Sequence, residues 1–245
     1  MNRFDTIDDP RRRVLVRALA AGVFSSGLVG SSPLFAQIVG KLPQGRSIFR
    51  GAGTGTVNDQ PATPETQIRP GDRLRSGKDS DLVFVMGDCS VLLRAGSELG
   101  TGADSASGNP SRLASMRLLA GKMLAVFAPG PVQIQTATAT AQIRGTGVYI
   151  ESDPERTYFC TCFGATEVWA KDDPDSRTTV VTTHHNRPLY ILAGVNNRGK
   201  SIAGAPFINH TDQELALIEA LVGRTLPKEF AFPAKDYDPS WSYGR

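Results

Sequence analysis

VQIQTATATAQI, residues 132–143, decides the fold class. Its side chains alternate with a period of two. A strand turns successive residues to opposite faces, so this is the signature of β structure. Val132 and Ile134 share one face, with glutamine and threonine on the other, until small residues blur the pattern. The stretch reads as one half-buried strand, or as two strands around a kink. Valine and threonine suit both, because β-branching fits a pleated surface.

The same character recurs outward along the chain. Short runs appear at RSIFR (46–50), DLVFVM (81–86), SVLLR (90–94), KMLAVF (122–127), GVYIE (147–151), TYFCTCF (157–163), TEVWAK (166–171), TTVVTT (178–183) and PLYIL (188–192). The chain has 25 glycines and 16 prolines, which break these runs at close intervals. Short strands separated by turn signals predict a mainly β fold, either an antiparallel sandwich or a solenoid-like domain. MGDCS (86–90) carries Gly-Asp at its tip and reads as a tight hairpin. GTGADSASGNPS (100–111) and DDPDSR (172–177) read as exposed loops.

One C-terminal helix stands out. In HTDQELALIEALVGR (210–224), Leu215, Ile218, Leu221 and Val222 recur at helical spacing. Thr211 or Asp212 can cap its start, Glu214 lies near the start, and Gly223 ends it. Residues 225–245 show no period and read as a surface tail.

The first 36 residues have a different plan. RRRVLV (11–16) leads into ALAAGVFSSGLVG (18–30) and then SSPLFAQ (31–37). A charged region, a mildly apolar region and a small-residue cleavage site form an export signal. Arg11 and Arg12, ahead of Val14 and Leu15, match the twin-arginine pattern. Cleavage is expected near Ala36. A membrane-spanning helix needs about 20 predominantly apolar residues, more than positions 18–30 supply. The expected location is therefore the periplasm, with no stable transmembrane segment after cleavage.

Formal net charge is +3, and five of the 27 basic residues (Arg3, Arg11, Arg12, Arg13 and Arg17) fall in this leader. The chain beyond the leader is close to neutral and has no clustered basic face, which argues against a nucleic-acid partner. The sequence has no G-x-S-x-G elbow, no H-E-x-x-H and no P-loop.

Two blocks, IRPGDRLRSGKDSDLVFVMGDCSVLLRAGSEL (68–99) and LLAGKMLAVFAPGPVQIQTATATAQIRGTGVYIE (118–151), resemble the FecR-type domain. That is the extracytoplasmic β domain of iron-dicitrate signal transducers. The resemblance rests on P-G-D at 70–72, S-G at 76–77, G-D-x-S at 87–90, L-x-x-G-K at 118–122 and I-R-G-T at 143–146. It implies a FecR-type β domain over 45–151, with further strands at 152–209 packed on it. Signal-transmitting members carry a cytoplasmic segment that meets a sigma factor. Only residues 1–10 precede Arg11, so the resemblance is expected to cover the β domain without that anti-sigma segment. Gly145 and Gly147 mark a bulge or a close backbone approach.

TYFCTCFG (157–164) raises a separate question. Cys160, Cys162, His184, His185 and His210 fall close together, in a chain with three cysteines and three histidines. In a strand both sulfurs face one way, with Cα atoms about 6.6–7 Å apart. That is at the limit of disulfide geometry. A shared metal, or one sulfur pairing with Cys89, is easier to build. Adjacent His184 and His185 point to opposite faces unless a turn intervenes, and Asn186, Arg187 and Pro188 suggest one. Thiolates with imidazoles suit zinc or copper, and iron less well. Twin-arginine export carries folded proteins, so a cofactor can load first. The other reading makes the cysteines small buried hydrophobes near Phe159, Phe163 and Trp169.

The sequence supports two functional readings. One is an exported FecR-domain protein with a non-catalytic binding, sensing or scaffold role, its partner an envelope protein or a small ligand. The other is a metal-binding or redox protein built on the Cys/His cluster.

Overall fold

The computed structural model describes residues 40–51, 53–104, 109–173, 175–195 and 199–230. The export segment and positions 231–245 of the tail lie outside them. The strands are β1 (Ile48–Arg50), β2 (Thr56–Val57), β3 (Gln60–Pro61), β4 (Arg73–Arg75), β5 (Leu82–Met86), β6 (Cys89–Leu93), β7 (Glu98–Asp104), β8 (Asn109–Val126), β9 (Pro131–Gln135), β10 (Ala139–Ser152), β11 (Arg156–Ala170), β12 (Arg177–Thr182), β13 (Leu189–Leu192) and β14 (Ile202–Gly204). One α-helix, α1 (Asp212–Leu221), comes after them, then a 3-10 turn at Lys228–Phe230.

The 132–143 stretch is two strands around a turn. β9 and β10 pair antiparallel from Gln135↔Thr140 to Pro131↔Arg144. The phase of alternation changes across the turn. Val132 and Ile134 enter the core from even positions, Ala139, Ala141 and Ile143 from odd ones. Thr136 and Thr138 at the bend are buried, and both bond the Thr157 hydroxyl, at 2.6 and 2.9 Å.

All the strands belong to one sheet, antiparallel except where β8 meets β9. Its long strands change partners along their length. β8 pairs with β7 and β9 in its first part, then runs between β6 and β10. β11 pairs with β13 at Arg156–Phe159 and with β12 at Gly164–Trp169. β10 and β11 pair from Ala139↔Ala170 to Ser152↔Thr157, so the sheet continues through residue 152 without a break.

The partner changes occur at glycines of the two motifs. Gly121, of L-x-x-G-K, has φ +88, and a Cβ there would lie 2.8 Å from the Ser97 Cα. Gly145, of I-R-G-T, has φ +62 and sits where the β10–β11 register shifts. Only glycine adopts this left-handed backbone without strain. The expected hairpin at 86–90 forms with Met86↔Cys89 as its last pair.

Two cores separate by residue parity. In β8, Met123 and Ala125 enter the larger core, while Leu124 and Val126 enter the second. In β10, Val148 and Ile150 alternate with Tyr149 in the same way. In β11, Phe159 faces the larger core, and Tyr158, Cys160 and Cys162 face the second. The consecutive apolar runs of the sequence are strands buried on both faces. Helix α1 closes the second core with Leu215, Ile218, Leu221 and, just past its end, Val222. Each such burial is worth about 1.5–3 kcal/mol.

The helix starts as expected. Thr211 Oγ1 accepts from Glu214 N at 3.3 Å, and Glu214 Oε2 accepts from Thr211 N at 3.0 Å, a capping box. No helix among the described residues is long and apolar enough to cross a membrane.

The loop expected at 100–111 is a correction. β7 continues to Asp104 and β8 begins at Asn109. Ladder pairs run to Ala103↔Leu113 and Asp104↔Asn109, and residues 105–108 of the expected loop lie outside the described residues. At Gly102 a Cβ would lie 2.3 Å from Ser115 Oγ.

Gly121→Ala should destabilise the fold by about 1 kcal/mol or more, because strain and the Ser97 contact add. Gly100→Ala, with nothing within 4 Å of its Cβ, is the control and should stay near neutral. Urea unfolding followed by circular dichroism measures both.

Candidate metal centre

Three segments converge on the second core. β11 supplies Cys160 and Cys162, both 0% exposed. The turn between β12 and β13 supplies His185, and the approach to α1 supplies His210. One ligand atom from each of the four residues lies within 4.8 Å of all the others.

A bulge begins the arrangement. Val148 pairs with Thr161 and the adjacent Gly147 with Phe163, so Cys162 is the extra residue of β11. A bulge re-aims its side chain and takes its backbone out of the ladder. The Cys162 carbonyl instead accepts from His185 N at 3.0 Å. The turn carrying His185 is tightened by Asn186, whose Oδ1 accepts from His184 N at 3.0 Å while its own N–H donates to Thr182 Oγ1 at 3.0 Å.

Tyr158 places the third segment. Its hydroxyl donates to Pro206 O at 2.9 Å and accepts from Ile208 N at 3.3 Å. Asn209 donates to Glu151 Oε1 at 2.7 Å. His185 has φ 52 and Asn209 has φ 61, both left-handed. Such backbone costs about 1–3 kcal/mol per residue and persists where the surroundings enforce it.

Inside the cluster, Cys160 Sγ lies 3.5 Å from His185 Nδ1 and Cys162 Sγ lies 3.6 Å from His210 Nε2. The two ring nitrogens are 3.2 Å apart. The outer nitrogens fix the tautomers. His210 Nδ1 is 2.7 Å from Ile208 O, a carbonyl that only accepts, so Nδ1 carries the hydrogen. His185 Nε2 donates to Asp212 Oδ1 at 2.9 Å. Both inner nitrogens can therefore offer lone pairs toward the two sulfurs. Such outer partners orient histidine ligands and raise their basicity.

Electrostatics favour separated charge. Burial opposes ionisation of Cys160, but hydrogen bonds from Cys162, His185 and His210 outweigh it and hold its pKa well below the usual thiol value. Burial and the neighbouring Cys160 push Cys162 the other way. Burial also opposes a charged His185, yet Asp212 and Cys160 raise its pKa to about 9. The Asp212 carboxyl lies below its ordinary range, because its hydrogen bonds to His185 and His184 outweigh its burial. Without an ion, the cluster supports a thiolate–imidazolium pair. With one, two sulfurs and two nitrogens form a Cys₂His₂ set.

Aromatic rings wall the cluster. Tyr149 stacks on His210 at 4.4 Å and 17°. Phe207 lies 4.5 Å from His185 and 4.6 Å from His210, and Phe230 lies 4.5 Å from His184.

Of the five residues singled out in the sequence, the structure brings four together. His184 stays outside the sulfur pocket, its side chain 46% exposed, and bonds Asp212 Oδ2 at 2.9 Å. Cys89 lies in the larger core, on the opposite side of the sheet from both sulfurs, and all three cysteines are free. A pairing with Cys89 is thereby removed. Sequence reasoning makes Asp212 a helix cap and misses its bonds to both histidines. The one signal is an acid two residues after a histidine.

Residues 72–167 match the FecR family model, described as "FecR protein". A search of curated proteins finds no match. Two crystal structures of "a putative anti-sigma factor from Parabacteroides distasonis ATCC 8503" are similar, each 14% identical, with TM-scores of 0.42 and 0.37. The alignments cover 54% and 57% of this chain, and 58% of each of those chains, less than two thirds of their length. The family match ends in β11, past both cysteines. The motifs read from the sequence stop at 151, and the match runs on to 167. Residues 72–167 match the FecR domain, and the last matched strand holds Cys160 and Cys162.

Proposed function

We propose that this is an exported FecR-domain protein with a non-catalytic sensing role in the periplasm, and that its sensing element is a transition-metal site. Cys160, Cys162, His185 and His210 are the ligands, and zinc or copper is the ion. The observation that carries this reading is the pair of inner ring nitrogens, 3.2 Å apart beside two sulfurs, with both outer nitrogens engaged. The FecR match supports a signalling role, and the order of residues 1–36 supports export. Four protein ligands leave no open coordination position, which supports a non-catalytic role. The sulfurs, 0% exposed, are also poorly placed as nucleophiles. The partner is an envelope protein or a small ligand.

Elemental mass spectrometry of protein exported through its own leader and purified without a histidine tag should find about one transition metal per chain. Cys160→Ser/Cys162→Ser should lose it. No metal in either protein would sink this reading. Asp212→Asn, which weakens the partner of His185, should lower metal affinity about 10–100-fold in a chelator competition.

A further inference from the structure

We propose that the ion is Zn²⁺ in a closed tetrahedral site, and that it fastens the segment leading into helix α1 onto the sheet. This rests on the metal reading above and adds the identity of the ion and the consequence of its binding.

Three of the six edges of the cluster match those of a zinc tetrahedron, and the other three are within 4.8 Å. Zinc–sulfur bonds of about 2.3 Å and zinc–nitrogen bonds of about 2.05 Å give sulfur–nitrogen edges of about 3.6 Å and a nitrogen–nitrogen edge of about 3.3 Å. The corresponding separations are 3.5, 3.6 and 3.2 Å. A tetrahedral S₂N₂ set suits Zn²⁺, whereas Cu²⁺ favours tetragonal geometry.

The ligands come from parts of the chain that share no ladder at the site. Cys160 and Cys162 belong to the sheet, and His210 belongs to the segment that enters the helix. The first turn of α1 is tied in through Asp212, which bonds His185 and His184. The far end of the helix is held separately. Leu42 N donates to Leu221 O at 2.9 Å, and Arg224 donates to Asp88 O at 2.8 Å. Loss of the ion therefore loosens residues 206–215 and leaves 218–222 in place. The anchors at that end that need no ion include the Arg94–Glu214 ion pair at 2.8 Å, the Arg94 bond to Asn209 O at 3.1 Å, the Asp212 bonds to His184 and His185, and the Tyr158 and Asn209 hydrogen bonds. The sheet face beneath holds Leu124, Tyr149 and Tyr158.

The test compares full-length wild-type protein as zinc-loaded, chelator-stripped and zinc-restored samples by hydrogen exchange with mass spectrometry. Wild-type protein avoids a ligand variant that fails to fold. Peptides over 206–215 should exchange roughly tenfold faster or more when stripped, and recover with Zn²⁺. Peptides over 218–222 and 82–93 should not change. Co²⁺ added to stripped protein should show the intense visible absorption of a four-coordinate thiolate site, and Zn²⁺ should abolish it. Stoichiometric zinc with unchanged protection at 206–215 overturns the fastening and leaves the metal reading standing. Stoichiometric copper with no zinc binding overturns the ion's identity. Binding of no metal at all overturns both this inference and the reading beneath it.

Discussion

The shared strands of the sheet are buried on both faces, and the rest of the structure depends on that. Met123, Val148 and Phe159 face one core, while their neighbours Leu124, Tyr149 and Tyr158 face the other. A slip of one residue in register would exchange the two sets and leave neither core packed. The second face also needs a cover that the sheet cannot supply, which is the task of α1. The helix needs the sheet as much. Ten residues are marginal as an isolated helix in water, so its stability comes from packing against that face.

Polar groups inside such a core must find partners or cost free energy. The second core accepts two histidines, an aspartate and two thiols because each reaches another of the group or a backbone carbonyl. The bulge at Cys162 releases a carbonyl, His185 N–H takes it, and the left-handed backbone at His185 turns the ring inward. The left-handed Asn209 does the same for His210. Local strain at both histidine segments is offset by the hydrogen bonds and ring packing it makes possible.

Much of the fold was legible because burial on both faces writes itself as consecutive apolar residues, as in KMLAVF and GVYI. The α1 boundaries were legible because Thr211, Glu214 and Gly223 are local signals. β4 and β7 were not, because RLR and ELGTGAD are ordered by ladder hydrogen bonds more than by apolar side chains. The site was half legible. Concentration of cysteine and histidine in one window pointed to it, and i, i+2 spacing put both sulfurs on one face. Which of His184 and His185 turns inward depends on a bulge in another strand and a positive φ, and neither has a sequence signature at these residues. Asp212 was hidden by its second plausible role as a cap.

On the proposed metal reading, protons and metal compete for the same place in this core. A buried site tolerates little net charge: burial and Cys160 disfavour ionisation of Cys162, hydrogen bonds from Cys162, His185 and His210 favour it at Cys160, and Asp212 and Cys160 favour a protonated His185. A divalent cation lets both thiols ionise and both inner nitrogens bind, and its charge balances the two thiolates. The exchange changes what His185 presents to Asp212 and, through it, the first turn of α1. On that same reading, occupancy of the site is felt at the start of α1, where Asp212 bonds His185 and His184.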